Sequence, residues 1–185
     1  MKHQGTITLE TERLILQKFK LDDAPAIFQN WTSDEEVTKY LTWQAHKKLQ
    51  DTQDYVKFCL ESYQNTDSYR WVIIEKRNME PIGDISVVSI ETNVQAAELG
   101  WVISRKHWGK GYMPEAAKAV ITYLLENIGF HRVFAVHDSE NSQSGRVMEK
   151  VDMTYEGTLR QAAKNNRGIV DIAVYSILKD EVKSS

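Results

Sequence analysis

The chain has 185 residues, 42% hydrophobic and 26% charged, which fits one globular domain. Only nine glycines and three prolines are present, excluding a collagen-like or low-complexity chain, and five tryptophans, eight tyrosines and five phenylalanines supply material for a core. The net charge of −3 argues against a dedicated nucleic-acid surface, which is ordinarily basic. Residues 6–19 read as extended, with Ile7, Leu9, Leu14 and Leu16 alternating with polar neighbours. Asp22-Asp23-Ala24-Pro25 starts a helix on which Ile27, Phe28 and Trp31 share a face, and Asp34–Tyr40 forms a second, short one. A third begins at Asp51-Thr52, with Tyr55, Val56, Cys59, Leu60 and Tyr63 at helical spacing.

Tyr69–Glu75, Ile82–Ile90 and Ala97–Ser104 are then three strands separated by short turns, an antiparallel meander. After a basic, glycine-bearing segment, Ala117, Val120, Ile121, Leu124, Leu125 and Ile128 mark an amphipathic helix. Arg132–His137 is a strand, Asn141–Val151 a helix, and Met153–Glu156 and Ile169–Leu178 are strands. Helices interspersed among strands, neither alternating strictly nor segregated, indicate an α+β or mixed α/β domain spanning 1–185.

Cys59 is the only cysteine, so no intrachain disulfide forms, and between Phe58 and Leu60 it reads as a small core residue. Apolar runs such as Trp71–Ile74 fall far short of the roughly 20 residues that span a membrane. The start, Met1-Lys2-His3-Gln4-Gly5, carries no apolar run, so no signal peptide is expected and the expected location is cytoplasmic. His46, His107, His131 and His137 lack metal-ligand spacing and read as surface or loop residues, with no metal expected.

His107-Trp108-Gly109-Lys110-Gly111-Tyr112 lies between a strand and a helix. Two glycines let backbone N–H groups converge on a ligand, and the following helix offers unpaired N–H groups and the positive end of its dipole. Together they form a phosphate cradle, to which Arg105, Lys106 and Lys110 add charge. Pro114 fits the helix start, where its missing N–H costs little. Neither the P-loop pattern nor G-x-G-x-x-G opening a βαβ unit is present.

Several blocks in order carry a family likeness. Glu98-Leu99-Gly100-Trp101, Trp108-Gly109-Lys110-Gly111-Tyr112 and Glu115-Ala116 resemble the acetyl-CoA motif of GNAT-type N-acetyltransferases. Glu140-Asn141-Ser142-Gln143-Ser144 with Arg146–Lys150 resembles that family's next motif. Thr11-Glu12-Arg13-Leu14 and the Asp171–Leu178 strand point to the branch that includes ribosomal-protein N-terminal acetyltransferases. The resemblance runs from about residue 8 to 180.

It implies a GNAT-like mixed, mostly antiparallel sheet, flanked by helices, that splays open around acetyl-CoA as co-substrate. Val102, Ile103 and Ser104 would pair with the pantetheine arm, Trp108, Gly109, Lys110, Gly111, Tyr112 and Met113 would hold the pyrophosphate, and Asn141 would contact pantetheine. Met113 stands where the family has a small residue and is expected to crowd the phosphate. Asp152 stands where a glycine usually ends the helix.

The tyrosine that serves many relatives as acid is missing after Asn141, and no Tyr follows until Tyr155. Ser144 is the substitute for protonating or hydrogen-bonding the thiolate, against a plain role in a first helical turn. Glu98, a carboxylate in an apolar stretch, is the candidate base, against a structural hydrogen bond. Where some relatives carry an acid after the second motif, this chain has Ala163. The acceptor site of the family is built around Trp31, Asp34, Glu35, Tyr40 and Trp43. The acceptor is a primary amine, either a protein N-terminal α-amine or a small amine such as a polyamine or aminoglycoside. A non-catalytic acyl-CoA-binding module is the other class. No nucleic-acid or membrane partner is expected, and homodimers are common in this branch.

Overall fold

Eight strands join in one sheet of order β1-β2-β3-β4-β5-β6-β8-β7. The computed structural model describes residues 1–182. In chain order the elements are β1 (Leu9–Glu10), β2 (Leu14–Gln17), α1 (Ala24–Ile27), α2 (Glu35–Thr38), α3 (Leu49–Ser62), β3 (Arg70–Glu75), β4 (Glu80–Glu91), β5 (Ala96–Ile103), α4 (Tyr112–Thr122), β6 (Arg132–Asp138), α5 (Ser142–Lys150), β7 (Thr154–Asn165) and β8 (Gly168–Leu178). Among the described residues no helix is long and apolar enough to cross a membrane.

Every strand pair is antiparallel except β5–β6. That parallel ladder holds only from Ala96–Arg132 to Leu99–Ala135. Beyond it Gly100–Ile103 stays paired to β4 while Val136–Asp138 stays paired to β8. The sheet therefore opens into a V between β5 and β6, the splayed mixed sheet that the resemblance implied.

Alternation along the strands divides the apolar residues between two cores. Leu14, Leu16, Trp71, Ile73, Ile85 and Leu99 pack with Ala117, Val120, Ile121, Leu124 and Leu125 of the α4 helix and its continuation. On the opposite face Val72, Ile74 and Val102 meet Ile27, Trp31, Val56 and Cys59. Fully burying a side chain of this kind contributes roughly 1.5–3 kcal/mol, so both helical layers are held mainly by apolar burial.

Three expectations change. Residues 6–19 are a short hairpin of two strands rather than one extended run. The first helix widens into π-type turns over Phe28–Thr32, which bury Trp31 and Thr32. The strand expected at Met153–Glu156 is the first third of β7, which runs on to Asn165. The Asp152 departure fits: φ is +62°, the left-handed conformation that ends α5.

Candidate active site

A cleft of about 500 Å³ fills the V. Trp101, Val102 and Ile103 line it from β5, Asn141 and Ser144 from the start of α5, and Tyr40 and Leu41 from the segment after α2. Gly109, Gly111 and Tyr112 form its end at α4.

The glycine loop is shaped by its backbone. Gly109 and Gly111 have φ of +73° and +79°, and a Cβ on Gly109 would meet nothing within 4 Å, so its main chain is open to the cleft. Gly111 is the N-cap of α4, which leaves the first-turn N–H groups without helical partners. Open backbone donors at the positive end of a helix fit a pyrophosphate.

Side chains far away in sequence fix this loop. Glu115 accepts from the Thr11 hydroxyl at 2.5 Å, from the Arg13 backbone N–H at 2.9 Å and from Arg13 Nε at 2.6 Å. Arg13 Nη1 also donates to the Lys110 carbonyl at 3.0 Å, and the guanidinium lies 4.3 Å from the Tyr112 ring centre. Burial acts to raise the Glu115 carboxyl, but the bonds from Thr11 and Arg13 prevail and hold it below its ordinary value. The Tyr112 hydroxyl donates to Glu75 at the end of β3, and His107 Nε2 stands 3.8 Å from the same carboxylate. Trp108 is pinned by an indole bond to the Ile103 carbonyl at 2.9 Å.

The structure sorts the expected site residues. Val102, Ile103, Trp108, Gly109, Gly111, Tyr112, Asn141 and Ser144 line one cleft. Lys110 gives its carbonyl to Arg13 and its side chain stays at the surface. Ser104 does not reach the cleft: its N–H is bonded to the Ile82 carbonyl at 2.7 Å and the residue is fully buried. Met113 lines the end of the cleft, but its side chain belongs to the main core at 3% exposure, so its bulk points away from the phosphate position. Asn141 caps α5, its Oδ1 accepting from the Ser144 N–H at 3.3 Å, which leaves the amide nitrogen for a ligand. Glu98 lies on β5 before the V opens and accepts from the Ser89 hydroxyl at 2.8 Å, outside the cleft lining. His107 and His137 are not plain surface residues, since each buries one ring nitrogen without a partner among the described residues.

Composition and motif gave no notice of the β7–β8 hairpin tip. Asn166 donates from Nδ2 to the Thr38 and Trp43 carbonyls, both at 2.8 Å, and from its backbone to Leu41 at 3.1 Å. Asn165 Nδ2 reaches Asp138 at 2.8 Å, and Arg167 donates to Asp138 at 2.9 and 3.0 Å and to Glu140. Burial acts to raise the Asp138 carboxyl, but its bonds from Asn165, Glu140 N–H and Arg167 hold it low. The tip thus straps the Tyr40–Leu41 lip to the β6–α5 lip.

The family model described as acetyltransferase (GNAT) domain matches residues 13–154. The N-acetyltransferase p20 of Bacillus licheniformis is 33% identical over 174 residues, 94% of this chain and 97% of that protein. A solved GNAT-family acetyltransferase from Bacillus anthracis is 30% identical, with a TM-score of 0.83 over 95% of this chain and 100% of the other. The fold is also shared with RimL, a ribosomal-protein alpha-N acetyltransferase solved with coenzyme A, at 21% identity and a TM-score of 0.84, covering 95% of this chain and all of that one. The splayed sheet, the cleft in its V and the glycine loop at its end define an acetyl-transferring enzyme. The chain belongs to the GNAT acetyltransferase family and is an N-acetyltransferase.

Proposed function

We propose that this enzyme moves the acetyl group of acetyl-CoA to a primary amine, and that the amine is the α-amino end of a peptide. The cleft carries the reading: it joins an open backbone cradle at α4 to Asn141 and Ser144 at α5. Acetyl-CoA supplies the thioester. Residues 108–112 would hold its pyrophosphate, Val102 and Ile103 would lie along pantetheine, and the free amide of Asn141 would donate to it. The Ser144 hydroxyl would hydrogen-bond the sulfur as negative charge develops there.

The acidity of the amine favours this choice. A peptide α-amine has an ordinary pKa of about 7.7–8.0 against about 10.4 for lysine, so it needs far less help to lose its proton. The likeness to RimL in fold accords with this choice.

The test is thiol release from acetyl-CoA against a panel of N-terminal peptides, polyamines and aminoglycosides. Turnover on peptides, lost on blocking their α-amine, is expected, with kcat lowered about tenfold or more in Ser144→Ala. Turnover on polyamines alone overturns the α-amine assignment. Tight acetyl-CoA binding without turnover on any acceptor favours the binding-module alternative.

A further inference from the structure

Lys39, Arg146 and Lys150 bring cationic side chains to the wall of the cleft. Lys39 follows α2 on the Tyr40–Leu41 lip, whereas Arg146 and Lys150 both stand on α5. Four residues apart, they share one face of that helix. Val147 lines the cleft between them, and Met148 and Val151 lock the opposite face of α5 into the main core. Apolar packing therefore sets the direction in which the two cations point. The lining stretch of α5 runs from Ser142 to Lys150, roughly 12 Å at 1.5 Å per residue. Asn141 and Ser144 occupy its first turn, and Lys150 is carried roughly two turns further along the same wall.

No carboxylate neutralises this pair among the described residues: neither Arg146 nor Lys150 enters a salt bridge. Arg146 donates only a long bond from Nη2 to the Ser142 hydroxyl, at 3.3 Å. The other cations near the glycine loop are committed or turned away. Arg105 is tied to Asp34 at 3.0 Å, and Lys106 and Lys110 stay outside the cleft lining. The positive charge that the sequence placed on the loop is thus delivered to the cleft by α5. Like charges at this spacing weaken a helix slightly, and an anion bound between them would reverse that effect.

We propose that Arg146 and Lys150 hold the phosphomonoester on the ribose of acetyl-CoA, a group separate from the pyrophosphate, and so make the enzyme select acetyl-CoA over dephospho-acetyl-CoA. The proposal rests on the acetyl-transfer reading above. The glycine loop offers uncharged backbone donors in a fixed array, which suits the pyrophosphate. A phosphomonoester carries nearly two negative charges at neutral pH and three acceptor oxygens, so it is matched by full charges. Arginine supplies a fork of donors and lysine a point charge on a flexible stem. Both side chains are exposed, which lets them reach a group at the solvent edge of the cleft.

The test is a fluorescence titration of the wild type, Arg146→Gln, Lys150→Gln and the double variant with acetyl-CoA and with dephospho-acetyl-CoA, which lacks only that phosphate. Glutamine matches arginine and lysine in helix propensity, so α5 is retained. The wild type should bind acetyl-CoA about tenfold or more tighter than the dephospho form, and the ratio should shrink at about 0.5 M salt. The double variant should bring the ratio within about twofold by weakening acetyl-CoA alone, with each single variant in between. Phosphorus NMR gives a second readout. The phosphomonoester bound to the wild type should titrate clearly below its free value of about 6, because the cations favour its dianion, and should return to that value on the double variant. A wild type that binds both ligands equally overturns the proposal and leaves the acetyl-transfer reading standing. Equal weakening of both ligands in the double variant also overturns it, by placing the cations on the pyrophosphate. An unchanged ratio with a raised KM for acidic acceptor peptides overturns it in favour of acceptor binding. Failure of the wild type to bind either ligand overturns the reading of the cleft, and the proposal with it.

Discussion

Arg13 makes contacts on three sides, with Glu115, with the Lys110 carbonyl and with the Tyr112 ring. It stands outside the cleft lining, so its effect on a ligand is exerted through the shape of the loop. Hydrogen bonds to charged groups contribute about 1.5–3 kcal/mol each, and part of that is lost when a half-exposed pair is removed. Arg13→Ala should therefore raise KM and Kd for acetyl-CoA about tenfold with kcat nearly unchanged, measured by steady-state kinetics and fluorescence titration. An equal fall in kcat would place Arg13 in the chemical step instead. Asp84, buried in β4, makes a different prediction, about stability. Burial pushes its folded carboxyl up to about 7 against an unfolded value near 3.8, so the folded state binds the extra proton. Stability is then greatest below the unfolded value and falls as pH rises towards 7. Asp84→Asn should gain stability that is clearly larger at pH 8 than at pH 4, read from urea unfolding at both pH values.

At the scale of elements, the β7–β8 tip ties the 38–43 segment to the start of α5. Asn166 reaches three carbonyls of the 38–43 segment, and Arg167 ties the same turn to Asp138 and Glu140. Asn166→Ala should raise the acceptor's KM about fivefold or more, because two side-chain bonds of about 1 kcal/mol each are lost, while the Kd for acetyl-CoA stays unchanged. The check is a two-substrate kinetic analysis, and a rise confined to the acetyl-CoA side would contradict it. Most of β7 was not legible because the strand is a sheet edge with little to bury. Thr158, Arg160, Gln161 and Lys164 face solvent, and two irregularities, before Gly157 and between Leu159 and Ala163, shift its register, so no period of two survives. By contrast β3 and the first two thirds of β4 are buried on both faces, and their β-branched residues were plain in sequence. The glycine loop and the α5 cap were also readable, since each is a local pattern of a few residues. Contacts such as Thr11 and Arg13 with Glu115 join residues about a hundred positions apart, which no local pattern can pair. Glu98 stood out as a carboxylate in an apolar run, yet only the fold shows it bonded to Ser89 and outside the cleft lining.

For the whole molecule, the parting of β5 from β6 after four paired residues is what makes an enzyme of this sheet. One arm of the V carries Val102 and Ile103, the other leads into Asn141 and Ser144, and α4 closes the end with its N-terminus. Thr11, Arg13 and Glu75 hold the cradle from the β1–β3 side through Glu115 and Tyr112 of α4, and Asn165–Arg167 hold the far lip from the β7–β8 side. The most direct test is an equilibrium titration of the whole chain with acetyl-CoA and with S-acetyl-pantetheine, which lacks the pyrophosphate and nucleotide. The account predicts one acetyl-CoA bound per chain and at least about a hundredfold weaker binding of S-acetyl-pantetheine, because the charge-assisted bonds at the cradle are lost. Equal affinity for the two, or no binding of acetyl-CoA, would contradict it.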